Sequence, residues 1–526
     1  MKLARALGSV GGLTLASRVL ALGRDTLQAL YVGAGFASDA FLVAFRLPNM
    51  FRALFAEGAF AAAFIPLFNE KASEADENRA AFAFAENALA VLFPVLLVLT
   101  LILIAAAWPL TWALSGGFQS GGYDPPTPDQ FAFAVSLSRI TIPYLMLISL
   151  TALMGGILNS LDKYWVNAAA PMLLNLSMIG GMWFFHGDPE ETARVQAWSV
   201  TIGGVLQFLW LTLACRRVGV KLRLKPPRID KDVKRLLLLI LPAAAGAGAV
   251  QINTAISQAL AGGMLPHGAI SALFYADRLN QLPLGLIGIG LGTVLLPTIS
   301  RQLSSGREAE AIDTQNRGIE LALFLTLPAT AAFIVVAEPI VRGLFERGQF
   351  DPTDTVRTGW ALAMFSLGLP AYVLIKVLTP GFYARKDTRT PVRFAIISVG
   401  VNLIGNIILI PTIGVAGPPL ATAIASSLNV ALLYRTLRTQ GHMRADSRLK
   451  HRIPRLALAA VVMGVALYFA QGWFTPYTHG SLLVTLPALG LLVASGVAVY
   501  AVACFATGAF KLADLRSLLR RKSTTA

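Results

Sequence analysis

Long apolar runs separated by short polar segments extend along the whole chain. Most of them reach or exceed the roughly 20 residues that a helix needs to cross the hydrocarbon core of a bilayer. We count about fourteen, at residues 8–32, 37–67, 82–113, 131–156, 164–186, 195–217, 235–262, 269–300, 317–342, 356–384, 391–411, 416–437, 453–473 and 481–509. Two of them, 37–67 and 269–300, are long enough to contain a break. The pattern predicts an all-α polytopic membrane protein with about fourteen transmembrane helices.

The composition agrees with a membrane protein and argues against a soluble domain. Hydrophobic residues make up 55% of the 526 positions, charged residues make up 14%, and the mean hydropathy is +0.64. Cys215 and Cys504 lie in or at the end of apolar runs, so we expect no disulfide framework. The first run is too long and too charged for a removable signal peptide, and we expect it to remain as the first span.

The net charge of +16 raises the question of nucleic-acid binding, but the distribution of the charge predicts membrane topology instead. Lysine and arginine cluster in alternate loops, above all in 216–235, 385–393, 435–455 and 511–522. The loops between these clusters are poor in both residues. An excess of basic residues on one side marks the cytoplasmic face of a membrane protein. We therefore expect both termini in the cytoplasm and no nucleic-acid partner.

The basic segment 218–235 divides the chain after six predicted spans. We predict an N-lobe at 1–217, a C-lobe of six further spans at 218–437 that begins with this cytoplasmic linker, and two C-terminal helices with a basic tail at 438–526. Matching residues recur in the two lobes at offsets of 231 or 225 positions. They are Asn49 with Asn280, Pro66 with Pro297, Gly156 with Gly381, and Asp162 with Asp387. Six spans per repeat give both lobes the same orientation and a pseudo-two-fold axis along the membrane normal, which is a transporter architecture.

Charged side chains interrupt the first two apolar runs. They are Arg18, Arg24, Asp25, Asp39, Arg46, Arg52 and Glu57. An arginine that faces lipid at the bilayer centre costs about 2.5–3.5 kcal/mol, so these arginines must face a hydrated cavity, a charged ligand or each other. On a helical wheel Arg18 and Asp25 lie within about 20° of each other, and Ser17 and Arg24 also align. One polar sector therefore runs down the first helix.

Two interpretations of these charges remain open. Arg18 with Asp25, and Arg46 with Asp39, could form ion pairs seven residues apart. The acids are too few to neutralise all the arginines, including Arg278 in the second half of the chain. Because a guanidinium binds phosphate or carboxylate through two parallel hydrogen bonds, the excess predicts an anionic cargo.

Nothing in the sequence indicates an enzyme, a metal site or a cofactor. The five histidines lie in or beside predicted loops without metal-ligand spacing, and the phosphate-binding motif GxxxxGK[ST] is absent. A membrane-embedded glycosyl- or phosphotransferase would need catalytic carboxylates near a cytoplasmic loop. The only dense acids there, Glu74, Asp76 and Glu77, are typical of a solvated loop.

Three segments resemble the MurJ/MviN family of bacterial lipid II flippases, within the multidrug/oligosaccharidyl-lipid/polysaccharide exporter superfamily. They are SRVLALGRD at 17–25, the segment 33–68 with its SDAF, LPN and FAEGAF blocks, and YADRLNQLPLGLIGIGLGTVLLP at 275–297. The resemblance covers essentially the whole chain. It implies two six-helix lobes plus two helices, and a protein of the bacterial inner membrane. It also implies that lipid II, the lipid-linked peptidoglycan precursor, is moved from the cytoplasmic to the periplasmic leaflet by alternating access.

The resemblance also implies roles for individual residues. Substrate-binding cavity arginines are expected at Arg18, Arg24, Arg52 and Arg278. Charge partners or gating residues are expected at Ser17, Asp25, Asp39, Glu57 and Ser271. Lipid II and membrane lipids are the expected partners, and recruitment of cell-wall synthesis proteins stays open. So do two rivals: an exporter of another polyprenyl-linked glycan or of drugs, and a non-transporting scaffold.

One departure from the family concerns a possible coupling ion. Some members hold sodium with carboxylates in the seventh and eleventh spans, whereas residues 236–262 contain no Asp or Glu. The eleventh and twelfth spans offer only Asn402, Asn406 and Thr422. Hard cations prefer charged oxygen ligands, so this is a weak candidate for a monovalent ion site. The asparagines fit interhelical hydrogen bonding better.

Overall fold

The chain is helical almost throughout. A computed structural model describes residues 2–55, 59–74, 79–118, 125–477 and 481–509, and no β-strand occurs in these ranges. Inside a bilayer every backbone N–H and C=O must be paired within the protein, and a helix achieves this within one segment. The predicted all-α polytopic membrane protein is confirmed.

Two compact units divide the chain. The first comprises Met1–Ser271 with Arg347–Asp351, and the second comprises Ala272–Glu346 with Pro352–Ala526. These units group residues by contact, whereas the predicted lobes group spans by the repeat. The predicted division at 217 and 437 therefore stays a prediction.

The first unit contains ten complete helices. They are α1 (Lys2–Val32), α2 (Phe36–Phe55), α3 (Ala59–Glu74), α4 (Arg79–Ala105), α5 (Ala107–Ser115), α6 (Pro128–Thr141), α7 (Pro143–Ser160), α8 (Tyr164–Phe185), α9 (Pro189–Arg217) and α10 (Lys231–Met264). Helix α11 (Ala269–Ser304) begins in this unit and continues into the second. The predicted run 37–67 thus holds two helices, α2 and α3, and 269–300 lies in one.

The rest of the second unit repeats part of the helix order of the first. Its helices are α12 (Glu308–Val335), α13 (Ala337–Phe345), α14 (Pro352–Leu367), α15 (Leu369–Tyr383), α16 (Arg389–Ile413), α17 (Gly417–Thr439), α18 (Ser447–Phe474) and α19 (Leu482–Ala506). In both units a long helix precedes a nine-residue helix, α5 or α13, and a helix pair broken near a proline follows. This order parallels the predicted sequence repeat.

Nine helical stretches within the described ranges are long and apolar enough to cross a membrane. One of them, Arg389–Thr439, holds both α16 and α17. The runs that fall outside the nine belong to α1, α2, α10 and α11, and α1, α2 and α11 carry the charges singled out above. Helices lie at every predicted position, while the number of membrane crossings stays a prediction.

Aromatic rings and glycines hold the first unit together. The rings of Phe60, Phe64 and Phe84 stack at centroid distances of 5.3 and 5.4 Å and tie α3 to α4. Gly156 on α7 lies so close to Phe64 that an added Cβ would come within 2.9 Å of the ring. Small residues let helices approach closely in a membrane, where no hydrophobic force drives them together. This packing fixes α3 relative to α7.

Large apolar side chains cover the outer surface of the helices. Phe184, Trp473 and Leu483 are 76%, 80% and 87% exposed. A soluble protein rarely exposes contiguous apolar area on this scale, whereas a protein surrounded by lipid does so over its whole belt.

The linker that follows α9 is fastened to α3 and α4. The backbone N–H of Arg223 donates to Glu86 over 3.1 Å, and the guanidinium of Arg235 lies 2.8 Å from the carboxylate of Glu70. Asp230 caps α10 by accepting a hydrogen bond from the N–H of Val233 over 2.8 Å. The linker predicted at 218–235 is therefore an ordered part of the first unit.

Threonine side chains from neighbouring helices satisfy backbone carbonyls beside the breaks in both units. Pro143 separates α6 from α7, and Thr201 on α9 donates to the carbonyl of Ile140 over 2.6 Å. In the second unit Thr330 on α12 donates to the carbonyl of Ser366 over 3.0 Å, just before the break between α14 and α15. A carbonyl near a proline break lacks its usual helical donor, and these hydroxyls replace it.

Candidate functional site

Arg24 lies in the middle of α1 and is almost completely buried, with 6% of its surface exposed. Its Nε donates to Oδ1 of Asp25 over 2.9 Å, and its Nη2 donates to the same oxygen. Asp25 is fully buried. Neighbouring residues on a helix point about 100° apart, so a helical wheel does not predict this pair. The length of the arginine side chain makes it possible.

A second partner of Arg24 comes from α8, which packs along α1. Nη1 of Arg24 donates to Oδ1 of Asn175 over 3.1 Å, and Nδ2 of Asn175 donates to the carbonyl of Ser17 over 3.2 Å. Ser17 and Arg24, which align on the wheel, are thus joined through Asn175. The only signal for Asn175 in the sequence is an amide within an apolar run, and polar residues at membrane depth commonly mark a site.

The other first-unit candidates lie on α1 and α2. Arg18 is half-buried and lies six residues before Arg24 on the same helix. Arg52 is half-buried in the last turn of α2, and its Nε donates to Oδ1 of Asn49 over 3.0 Å. Arg46 is also half-buried. Glu57 lies outside the described residues.

Asp39 and Ser271, both expected to be charge partners or gating residues, are in contact. Oδ1 of Asp39 accepts hydrogen bonds from the N–H and the hydroxyl of Ser271 over 2.8 and 2.5 Å, and Oδ2 accepts one from the N–H of Gly268 over 2.7 Å. These groups form the start of α11. Helix N-termini carry unpaired N–H groups and partial positive charge, which a carboxylate satisfies. The gating role predicted for the pair stays a prediction.

In the second unit, Arg278 lies on α11 above an aromatic ring. Its guanidinium carbon is 5.0 Å from the ring centroid of Phe274, one turn earlier. This is cation–π geometry, which stabilises a guanidinium in an apolar setting. The adjacent Asp277 accepts a hydrogen bond from Gln281 on the next turn. Asp277 and Arg278 thus each have a partner one turn away on the same helix.

Comparison with known proteins assigns the chain to a family. The protein-family model described as "Lipid II flippase MurJ" matches residues 28–488. The chain belongs to the MurJ family. A probable lipid II flippase MurJ from Rhizobium tropici is 44% identical over 99% of this chain and 97% of its own length. Lipid II flippase MurJ from Burkholderia cenocepacia is 36% identical, with 88% and 90% covered.

Solved structures agree with the MurJ assignment. A lipid II flippase MurJ in an inward closed conformation superimposes with a TM-score of 0.76 at 26% identity, covering 94% of this chain and 97% of that one. An inward-facing MATE multidrug transporter shares the fold, with a TM-score of 0.65 at 15% identity over 81% and 97%. The MurJ family is a family of flippases rather than of catalytic enzymes.

Hydrogen bonds connect Asn402, Asn406 and Thr422, the weak candidates for an ion site in this MurJ-family protein. Nδ2 of Asn406 donates to Oδ1 of Asn402 over 3.3 Å, and Nδ2 of Asn402 donates to the hydroxyl of Thr422 over 3.0 Å. That hydroxyl donates to the carbonyl of Pro418 over 2.8 Å. These hydrogen bonds link α16 to α17, as expected of interhelical asparagines. Ion coupling stays an untested prediction.

A buried acid on α12 was not identified from the sequence. Glu320 is 5% exposed and pairs with Arg317, Arg448 and Arg452. Both contacts of Arg448, through Nε and Nη2, measure 3.1 Å. The signal available in the sequence was a lone acid near the start of the apolar run 317–342. The cluster fastens α18, the first of the two C-terminal helices, to α12.

Proposed function

We propose that this chain flips lipid II from the cytoplasmic to the periplasmic leaflet of the bacterial inner membrane by alternating access. Membership of the MurJ family supports the proposal, and so do the names of relatives that align over nearly the whole chain. The observation that carries it is a guanidinium, that of Arg24, buried in an apolar helical unit.

The arginines suit the charged part of such a cargo. A diphosphate offers several acceptor oxygens, and the planar fork of arginine binds two of them at once. In the first unit Arg18, Arg24 and Arg52 are the groups we assign to it. We assign Arg278 in the second unit the same class of ligand. Arg278 is half-buried over Phe274, and the loss of part of its hydration strengthens its attraction to an anion.

The orientation that we propose places both termini and the basic loops in the cytoplasm, in line with the positive-inside pattern. The inside-negative membrane potential then favours outward movement of an anionic head group. One charge that crosses a potential of 100 mV gains about 2.3 kcal/mol. We therefore infer that the voltage contributes to the driving force, and an ionophore that collapses it should slow flipping.

The test uses cells depleted of their own flippase and supplied with this protein or a variant. The measurement is how much lipid II head group becomes accessible outside the intact cells. We expect Arg24→Ala to abolish exposure and Arg24→Lys to restore little, because lysine lacks the fork. Arg228→Ala, an exposed arginine of the linker, is the matched control and should transport normally.

Normal lipid II exposure by Arg24→Ala would overturn the assignment of this arginine to the cargo. If wild-type protein leaves the head groups inside while restoring growth, the chain is a non-transporting scaffold. If wild-type protein exposes a different polyprenyl-linked glycan, the cargo has been misassigned.

A further inference from the structure

Arg24 is held by two oxygen acceptors that come from distant parts of the sequence. Asp25 is its chain neighbour on α1, and Asn175 lies on α8, 151 positions later in the sequence. All three guanidinium nitrogens, Nε, Nη1 and Nη2, donate to these oxygens, and Nη1 also lies 3.9 Å from Sδ of Met178. Both acceptors are buried, Asp25 completely and Asn175 with 5% of its surface exposed.

Asn175 is itself fixed in orientation. Its amide oxygen accepts from Arg24, and its amide nitrogen donates to the carbonyl of Ser17, two turns earlier on α1. Flipping this amide would place two donors against the guanidinium and an oxygen against a carbonyl. The amide therefore has one satisfied orientation, and that orientation presents an acceptor to Arg24.

A carboxylate oxygen and an amide oxygen around one guanidinium occupy the positions that phosphate oxygens would take. We propose that Asp25 and Asn175 form an internal counter-ligand, which holds Arg24 while the carrier is empty and which the phosphate of the cargo displaces. This inference rests on the proposed function. Asn175 is then a positioning residue, and Asp25 is the competitor of the substrate.

The counter-ligand solves two problems that a buried arginine creates for a carrier. An empty carrier that left the guanidinium without a partner would be strongly destabilised, because an uncompensated buried charge is costly. A carrier must also release what it binds. When phosphate binds Arg24, the carboxylate of Asp25 loses its contact with Arg24 and lies near a second anion. The return of Asp25 to Arg24 then favours release of the cargo.

The test measures binding and transport separately. Purified full-length protein in detergent is titrated with undecaprenyl diphosphate, and transport is measured by lipid II exposure in cells. Asp25→Asn weakens the counter-ligand, so the probe should bind about tenfold more tightly, the worth of one charge-assisted hydrogen bond, while transport slows. Asn175→Asp adds a second carboxylate against Arg24, so the probe should bind about tenfold more weakly.

Two further variants guard against loss of folding. The double variant Asp25→Asn with Asn175→Asp moves the carboxylate from α1 to α8, and its affinity should return to within about twofold of wild type if the pair acts as one unit. Asn316→Asp is the matched control. Asn316 is also buried, on α12 of the second unit, and donates to the carbonyl of Arg444 over 3.0 Å, so its substitution should leave the affinity unchanged.

The two single variants must shift the affinity in opposite directions. If both weaken binding and the double variant does not recover it, Asp25 and Asn175 are structural and the inference is overturned. In that case the proposed function still stands as long as Arg24→Ala abolishes transport. If Arg24→Ala binds the probe like wild type, the assignment of Arg24 to the cargo fails and this inference fails with it. The proposed function itself fails only if wild-type protein exposes no lipid II.

Discussion

Asp39 provides the sharpest test of how the start of α11 is held. Its carboxylate accepts hydrogen bonds from the N–H of Gly268, the N–H of Ser271 and the hydroxyl of Ser271. Asp39→Ala removes all three at a site where Asp39 is 2% exposed and Ser271 is fully buried. Each buried donor left unpaired costs about 1–3 kcal/mol, so a total near 3 kcal/mol is expected after partial relaxation. That corresponds to about a hundredfold in a local opening equilibrium.

Hydrogen–deuterium exchange read at the peptide that contains 268–271 measures this opening directly. We expect Asp39→Ala to exchange there about a hundredfold faster than wild type, and Asp39→Asn to fall between the two because it keeps a neutral acceptor. Asp188→Ala is the matched control. Asp188 caps α9 by accepting a hydrogen bond from the N–H of Glu191 over 2.8 Å, at an exposed position. Its removal should loosen only the first turn of α9.

Unchanged exchange at 268–271 in Asp39→Ala would refute the reasoning. The contacts with Gly268 and Ser271 would then be incidental to the stability of this turn. A uniform rise in exchange across the whole first unit would also count against it, since that result indicates global destabilisation.

Three other predictions concern packing and coupling. Glu320→Gln removes the carboxylate that Arg317, Arg448 and Arg452 share and should lower the unfolding temperature of the purified protein, with α18 becoming sensitive to protease; an unchanged digestion pattern contradicts this. Gly33→Ala forces a Cβ to within 2.4 Å of the carbonyl of Gln349 at φ +74°, so it should destabilise by about 2 kcal/mol or more in thermal unfolding, whereas Gly35→Ala has open space and should not; equal effects would refute it. Asn402→Ala should reduce thermal stability, and flipping should be independent of sodium in both wild type and variant. If wild type requires sodium and this variant does not, the site binds an ion instead.

The fold was accessible from the sequence because lipid imposes one simple constraint. Every apolar run of about 20 residues had to become a helix, and the described residues are helical at all of the predicted positions. The family resemblance pointed to Asp39 and Ser271, and the structure shows that these two residues are in contact. The bonds of Asn402 and Asn406 followed from the rule that polar residues in spans find partners on adjacent helices.

The partners of the buried charges were less accessible, because they depend on how helices pack. The wheel favours Arg18 as the partner of Asp25, whereas the structure shows Asp25 with Arg24, whose long side chain folds back on its neighbour. Asn175 and Glu320 meet their arginines across 151 and up to 132 positions of sequence. Periodicity reports which face of a helix is polar, and it carries no information about which distant helix will cover that face.

The threonines beside the two helix breaks have a mechanical consequence. The hydroxyl of Thr201 donates to the carbonyl of Ile140, and that of Thr330 donates to the carbonyl of Ser366. Each threonine side chain rotates about a single bond. Bending at these points breaks no further backbone hydrogen bond. Each hydroxyl can rotate to keep its hydrogen bond with the carbonyl as the angle between the two helices changes. Each unit therefore has a helix break at which bending would leave the carbonyl paired with a hydroxyl of a neighbouring helix.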